Sequence, residues 1–313
     1  MHLATPLRRL SLRCLAAAFT LFAFAAPVAA SGVSVGDLLV TSDATNVTRN
    51  YSGTTGNLQS VFTNSIGALG QMAVHIGIAN GRVLIGHNGG GVEEFDAATG
   101  AYIKTYNAGG GWQWAGIYAP NGTVLIGDMG TNDVRRYHPV TGAQIGFLAP
   151  VPSPSDMEFG PNGNLYVCSF NAGVVFEIDP VTGNVLNSIP LPAGGQANDV
   201  AFNPVNSEML VTDTRFGVVH RFSYPAYAPL GTFAGTSWSF PHGIVISPHT
   251  GRVLAIDGTT AQVHEFNQFT YVETNANFLS PAPGLKIVDL AFVPAIPTPV
   301  SNTSWGRVKA LYK

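Results

Sequence analysis

Six short aliphatic segments of this chain each end on a polar residue: Ser42, His87, Asp128, Ser169, Asp213 and Asp257. A second polar row lies five residues before a turn proline, at Ala115, Asp156, Asp199, Gly243 and Asp289, with Asn198 and His242 one residue earlier. Carboxylates brought close together repel unless a cation, a proton or buried hydrogen bonds intervene. Hard oxygen donors of this kind suit Ca²⁺ or another divalent cation better than a soft metal. Asp156, Asn198, Asp199 and Asp289 are therefore the candidate metal ligands. His242, in FPHGI, is the candidate general base if the protein is an enzyme, because an imidazole can bind a metal or take a proton near neutral pH.

Asp128, Asp213, Asp257 and His87, together with Trp114 and Trp238, are the candidate ligand-binding residues. A plainer reading stands beside each of these. Asp and Ser at strand ends accept backbone N–H bonds and lock neighbouring units together. A histidine can be held in a turn, and the aromatics that precede the strands (Trp112, Trp114, Trp238 and Phe240) can pack between units instead of forming a lip for a sugar or peptide. Cys168, inside a strand, reads as a small buried hydrophobe.

The elements that carry these residues repeat. The polar-ended segments begin at Leu38, Val83, Val124, Leu165, Met209 and Val253, which spaces them 45, 41, 41, 44 and 44 residues apart. From the second copy onward each follows a nearly continuous apolar strand that ends in a turn, as in GIYAPNG, MEFGPNG, VAFNPVN, IVISPHT and, more weakly, HIGIANG. An alternating strand and a fourth strand come after. A period of this length with four short strands predicts an all-β, six-bladed β-propeller over residues 31–294. The first copy lacks a leading strand and IVDLAFVP at 287–294 has no strand after it, so pairing of the two would close the ring and leave no open sheet edge. In each blade the first two strands run antiparallel through a tight turn, which places the start of one and the end of the other at the same end. Both polar rows are thus expected around one mouth of the central channel.

The combination of PHGIVISP, a turn and VLAID resembles six-bladed propellers of the NHL-repeat and SMP-30/gluconolactonase-like superfamily, over about residues 33 to 294. For a lactonase the resemblance implies a channel-bound divalent ion held by a first-blade Glu with Asn and Asp from later blades. Asn198 and Asp289 match the last two, and no Glu occurs before Glu93. Amidating-lyase and streptogramin-lyase relatives use histidines from several blades, for which His242 and His87 qualify by position.

Composition bounds the rest. Charged residues make up 11% of the chain, and 36 Gly and 21 Pro imply many turns. Arg8, Arg9 and Arg13 precede the apolar run CLAAAFTLFAFAAPV and the small residues Val28-Ala29-Ala30, the pattern of a secretory signal cut after Ala30. Cleavage would leave 12 of the 15 basic residues against 18 acidic ones, a net charge near −6 that argues against a nucleic-acid partner. A single remaining cysteine excludes an intramolecular disulfide. Residues 295–313 read as a flexible tail, or as a sorting tag of a bacterial secretion route.

The sequence therefore points to a secreted, periplasmic or cell-surface monomer with no membrane span in its mature form. Its expected role is a binding or interaction module whose acidic channel face takes a small ligand, a cation or an extracellular protein. The alternative is a metal-dependent hydrolase or lyase at the channel.

Overall fold

A computed structural model describes residues 31–42, 47–64, 73–106, 112–279 and 286–294. The expected signal segment, 1–30, and tail, 295–313, lie outside the described residues. Every described element is a β-strand, and the strands form six four-stranded antiparallel sheets.

Blade 1 holds β1 (Leu38–Ser42), β2 (Val47–Tyr51) and β3 (Leu58–Asn64). Blade 2 is β4 (Ala73–Ala79), β5 (Arg82–His87), β6 (Gly91–Asp96) and β7 (Tyr102–Tyr106). Blade 3 is β8 (Gln113–Tyr118), β9 (Val124–Asp128), β10 (Asp133–Tyr137) and β11 (Gln144–Pro150). Blade 4 is β12 (Pro154–Phe159), β13 (Leu165–Ser169), β14 (Val174–Ile178) and β15 (Val185–Pro190). Blade 5 is β16 (Ala197–Asn203), β17 (Glu208–Asp213), β18 (Val218–Ser223) and β19 (Pro229–Phe233). Blade 6 is β20 (Pro241–Ile246), β21 (Val253–Asp257), β22 (Gln262–Phe266) and β23 (Glu273–Leu279). The last strand, β24 (Ile287–Phe292), pairs antiparallel with β1 and sets Leu290 opposite Val40.

The six inner strands β24, β4, β8, β12, β16 and β20 touch one another in a ring around the axis. Burial follows from that placement. The second strands, such as VLIGD of β9 and LYVCS of β13, are buried at every position because both faces are covered by neighbouring blades. Outer strands such as β15 are exposed along most of their length.

The repeated Pro-Val-Thr-Gly turn has one mechanism with two residues. In IDPVTG, Asp179 Oδ1 accepts the N–H groups of Val181 and Thr182 at 2.8 and 2.9 Å. In YHPVTG, His138 Nδ1 accepts those of Val140 and Thr141 at 3.2 Å each, so the imidazole stands in for the carboxylate.

In all six blades the inner pair of strands breaks register once, at the same end. The residues displaced there are Val74, Trp114, Ser155, Asn198, His242 and Val288, each lying between paired positions of its ladder. A bulge of this kind bends the strand locally and re-aims a side chain. Here it splits the channel mouth into two rows of side chains that are neighbours in sequence.

Candidate functional site

A cavity of ≈110 Å³ opens at that mouth, lined by both rows. Its lining falls into two rows: the bulge residues Val74, Trp114, Ser155, Asn198, His242 and Val288, here called the rim, and the residues that follow five of them, His75, Asp156, Asp199, Gly243 and Asp289, here called the floor. Asn88 completes it. The four residues expected to bind metal, along with His242 and Trp114, are thus brought together. Sequence reasoning placed His75 in a strand but missed it as a floor residue, because Asn80 stands where the other blades have the turn proline that anchors the count.

The floor side chains tie four of the six pairs of neighbouring blades together. Asp156 Oδ2 accepts the N–H of Val200 at 3.4 Å, Asp199 Oδ2 that of Ile244 at 2.6 Å, and Asp289 Oδ2 that of Ile76 at 2.7 Å. His75 takes the same place in blade 2, with its Nδ1 facing the N–H of Gly116 at 3.4 Å. Its Nε2 lies 2.7 Å from Asp156 Oδ1. Gly243 fills the floor position of blade 6, where a Cβ would lie 2.9 Å from Asp289 Oδ1.

Protonation in this network follows from its geometry. Burial opposes a charged His75, but the Asp156 hydrogen bond and the charges of Asp156, Asp289 and Glu158 outweigh it and raise its pKa. The Gly116 contact, at 3.4 Å, is weak. Burial likewise opposes ionisation of Asp156, yet its hydrogen bonds to His75 and Asp199 and the His75 charge lower its pKa. Burial and the charge of Asp156, with the hydrogen bond between the two, push Asp199 well above the usual carboxylate range. Burial also raises Asp289 to about 7, with His75 pulling it down and Asp156 pushing it up. Glu158, farther along β12, is ringed by protein but reached by water, which tempers the upward push from its surroundings.

The rim is different. Asn198 Nδ2 and His242 Nδ1 lie 3.2 Å apart, and the His242 ring stands edge-on to Phe240 with 4.8 Å between centroids. Burial drives the His242 pKa down to about 4, against a small opposing effect of Asp257, so the ring is neutral at physiological pH. Gly258 makes room for it, since a Cβ there would lie 2.5 Å from His242 Cδ2. Trp114 is fixed by its Nε1, which donates to Asn88 Oδ1 at 3.3 Å, and its ring leans on Phe170. Ser155 Oγ lies 3.0 Å from each of the carbonyl oxygens of Ala197 and Asn198, bridging blades 4 and 5.

The polar-ended row expected to face the channel does something else. Asp128 Oδ1 accepts the N–H groups of Gly130 and Thr131. Asp213 accepts those of Gln196, Arg215 and Phe216 and pairs with His220 at 3.0 Å, and Asp257 accepts Ser239, Phe240 and Thr259. These bonds close turns within one blade, and none of the three lines the cavity. His87 is fully buried and pairs with Glu93 at 3.0 Å. Trp238 is buried too, donates to Gly217 O at 2.8 Å and stacks edge-on to Phe266. Neither reaches the mouth.

The floor does not fit a divalent ion as it is placed. Asp289 also accepts the N–H of Leu290 through Oδ1, so both its oxygens are engaged, and Asp156 is held by His75. Among the described residues no three His, Cys, Asp or Glu side chains are grouped so as to hold a metal. His75 Nε2 already occupies Asp156 Oδ1, where an ion would have to bind.

No protein-family model matches the sequence, nor does any curated protein. Solved structures do match in shape. A protein of unknown function from Bacteroides caccae shares a TM-score of 0.63 at 15% identity, covering 82% of this chain and 98% of that one. A chain of a nidogen/laminin complex gives 0.66 at 14% identity, covering 81% and 97%. A streptogramin B lyase gives 0.61 at 10% identity, covering 81% and 83%. Identities this low show a shared fold alone.

Proposed function

We propose that the protein is a β-propeller binding module whose channel mouth takes a small molecule. The observation that carries this reading is the recurrence of one bulge in six blades, which turns Trp114, Ser155, Asn198 and His242 onto a single cavity. Concave sites with a few convergent polar groups on an apolar wall are where small ligands bind. No part of the reading runs through a metal. The chain would work outside the cytoplasm after losing residues 1–30. Its test is a thermal-shift screen of small molecules against the purified protein and its Asn198→Ala variant. Hits that stabilise the first and not the second support the reading, and hits indifferent to the variant contradict it.

A second reading, a lyase or hydrolase, is favoured by one observation: His242 is neutral and touches an amide that can orient it. If the Asn198 amide oxygen accepts Nδ1–H, the lone pair on Nε2 is free to take a proton. Because one fold neighbour is a streptogramin B lyase, streptogramin B is the first substrate to try. Turnover abolished in His242→Asn with binding retained would establish this reading. An absence of turnover in the unaltered protein would leave the binding module.

A further inference from the structure

The six rim residues are not mixed around the ring. Blades 1, 2 and 3 contribute Val288, Val74 and Trp114, an unbroken apolar arc; blades 4, 5 and 6 contribute Ser155, Asn198 and His242, an unbroken polar one. Trp114 extends the apolar arc outward onto Phe170, with 6.4 Å between ring centroids. Its one polar atom is taken up by Asn88. The opposite arc offers an amide and a neutral imidazole, groups that each donate one hydrogen bond and accept another.

From this division, and resting on the binding reading above, we infer that the ligand is an uncharged amphipathic molecule: a flat apolar ring lies against Trp114, Val74 and Val288, and a carboxamide-like edge faces Asn198 and His242. Size sets an upper limit: the mouth, ≈110 Å³ and open, is smaller than the dry apolar cavity of roughly 150 Å³ that holds one benzene ring, so there is room for no more than one ring, partly protruding.

The floor argues against a charged ligand of either sign. An anion would approach the carboxyl groups of Asp156, Asp199 and Asp289, and the one basic side chain on the floor, His75, is already paired with Asp156. A cation would find Asp289 with both oxygens on backbone N–H groups and Asp156 held by His75, so coordination there would break the bonds that join the blades. A neutral polar edge has the Asn198–His242 arc to itself.

Three probes that share one ring test this: benzamide, benzylamine (a cation at pH 7) and benzoate, titrated calorimetrically into the mature chain. Benzamide should bind roughly 10-fold or more tightly than either charged analogue, the size of one well-made hydrogen bond. Asn198→Asp changes the size of the side chain little and places a carboxylate on the polar arc, so it should shift the preference toward benzylamine. Trp112→Leu, an exposed aromatic outside the cavity, should change nothing. Tighter binding of benzylamine or benzoate to the unaltered protein, or no binding of benzamide, would overturn the inference. Should screening hits still be lost in Asn198→Ala, the binding reading would survive that failure; if they are not, both fall together.

Discussion

Asn198 and Asp199 are adjacent in the chain, and so are His242 and Gly243, and Val288 and Asp289; each pair meets the register break, the first of each belonging to the rim row and the second to the floor row. The rim residues face a cavity with few partners of their own. Those on the floor accept N–H groups from the next blade and compensate one another's charge. A one-residue offset thus separates binding surface from structural lock, and polarity alone does not tell the two apart. Aspartates fill the lock because a buried carboxylate is a strong acceptor for a backbone N–H, and His75 pairs with one of them, Asp156.

The contrast can be broken most severely on the floor. Asp156→Ala leaves His75 buried without its partner, and removing one member of a buried pair costs ~3–5 kcal/mol. For a domain of this size each kcal/mol lowers Tm by roughly 2–4 °C, so calorimetry should show a large fall. Asp289→Ala should cost less, about 1–3 kcal/mol, for the stranded N–H of Ile76.

The floor also sets a pH dependence. Asp289 and Asp199 have folded pKa values raised above those of the unfolded chain, so the folded state holds protons longer, and stability falls as pH climbs from about 4 toward 7. The His75 contribution is complete below its unfolded value of 6.5 and is lost as pH rises through its raised folded value, which adds to the same decline. Asp156 works in the other direction, its contribution present above 3.8 and lost as pH falls through its lowered value. Asp289→Asn should flatten the decline, as read from Tm at pH 5 and pH 8.

Smaller effects sharpen the comparison. Asp257→Ala loosens one turn within a blade and should cost about 1–2 kcal/mol with no change in ligand affinity. Asn198→Ala should leave Tm within about 1 kcal/mol of stability while weakening ligand roughly 10-fold.

Much of this was legible in the sequence. The aliphatic second strands declared themselves because burial on both faces demands an apolar run, and their starts fall within one residue of the observed strands. Turn prolines fixed the count that located Asp156, Asn198, Asp199, His242 and Asp289. The same rule lost His75 once Asn80 replaced the proline, and it gave no hint of Ser155 or Asn88 as lining residues. Bulge register is a matter of local backbone geometry, and no residue type announces it. Asp128, Asp213 and Asp257 hold turns instead of lining the cavity, and a polar strand end looks the same in either place.

The most direct test of the account is a crystal of the protein soaked with the strongest hit from the thermal-shift screen, with the difference density read at the channel mouth. The account predicts density for the ligand between Trp114 and Asn198, with the His75–Asp156 pair intact beneath it. Ligand density elsewhere, or a metal ion seated among Asp156, Asp199 and Asp289 with that pair opened, would contradict it.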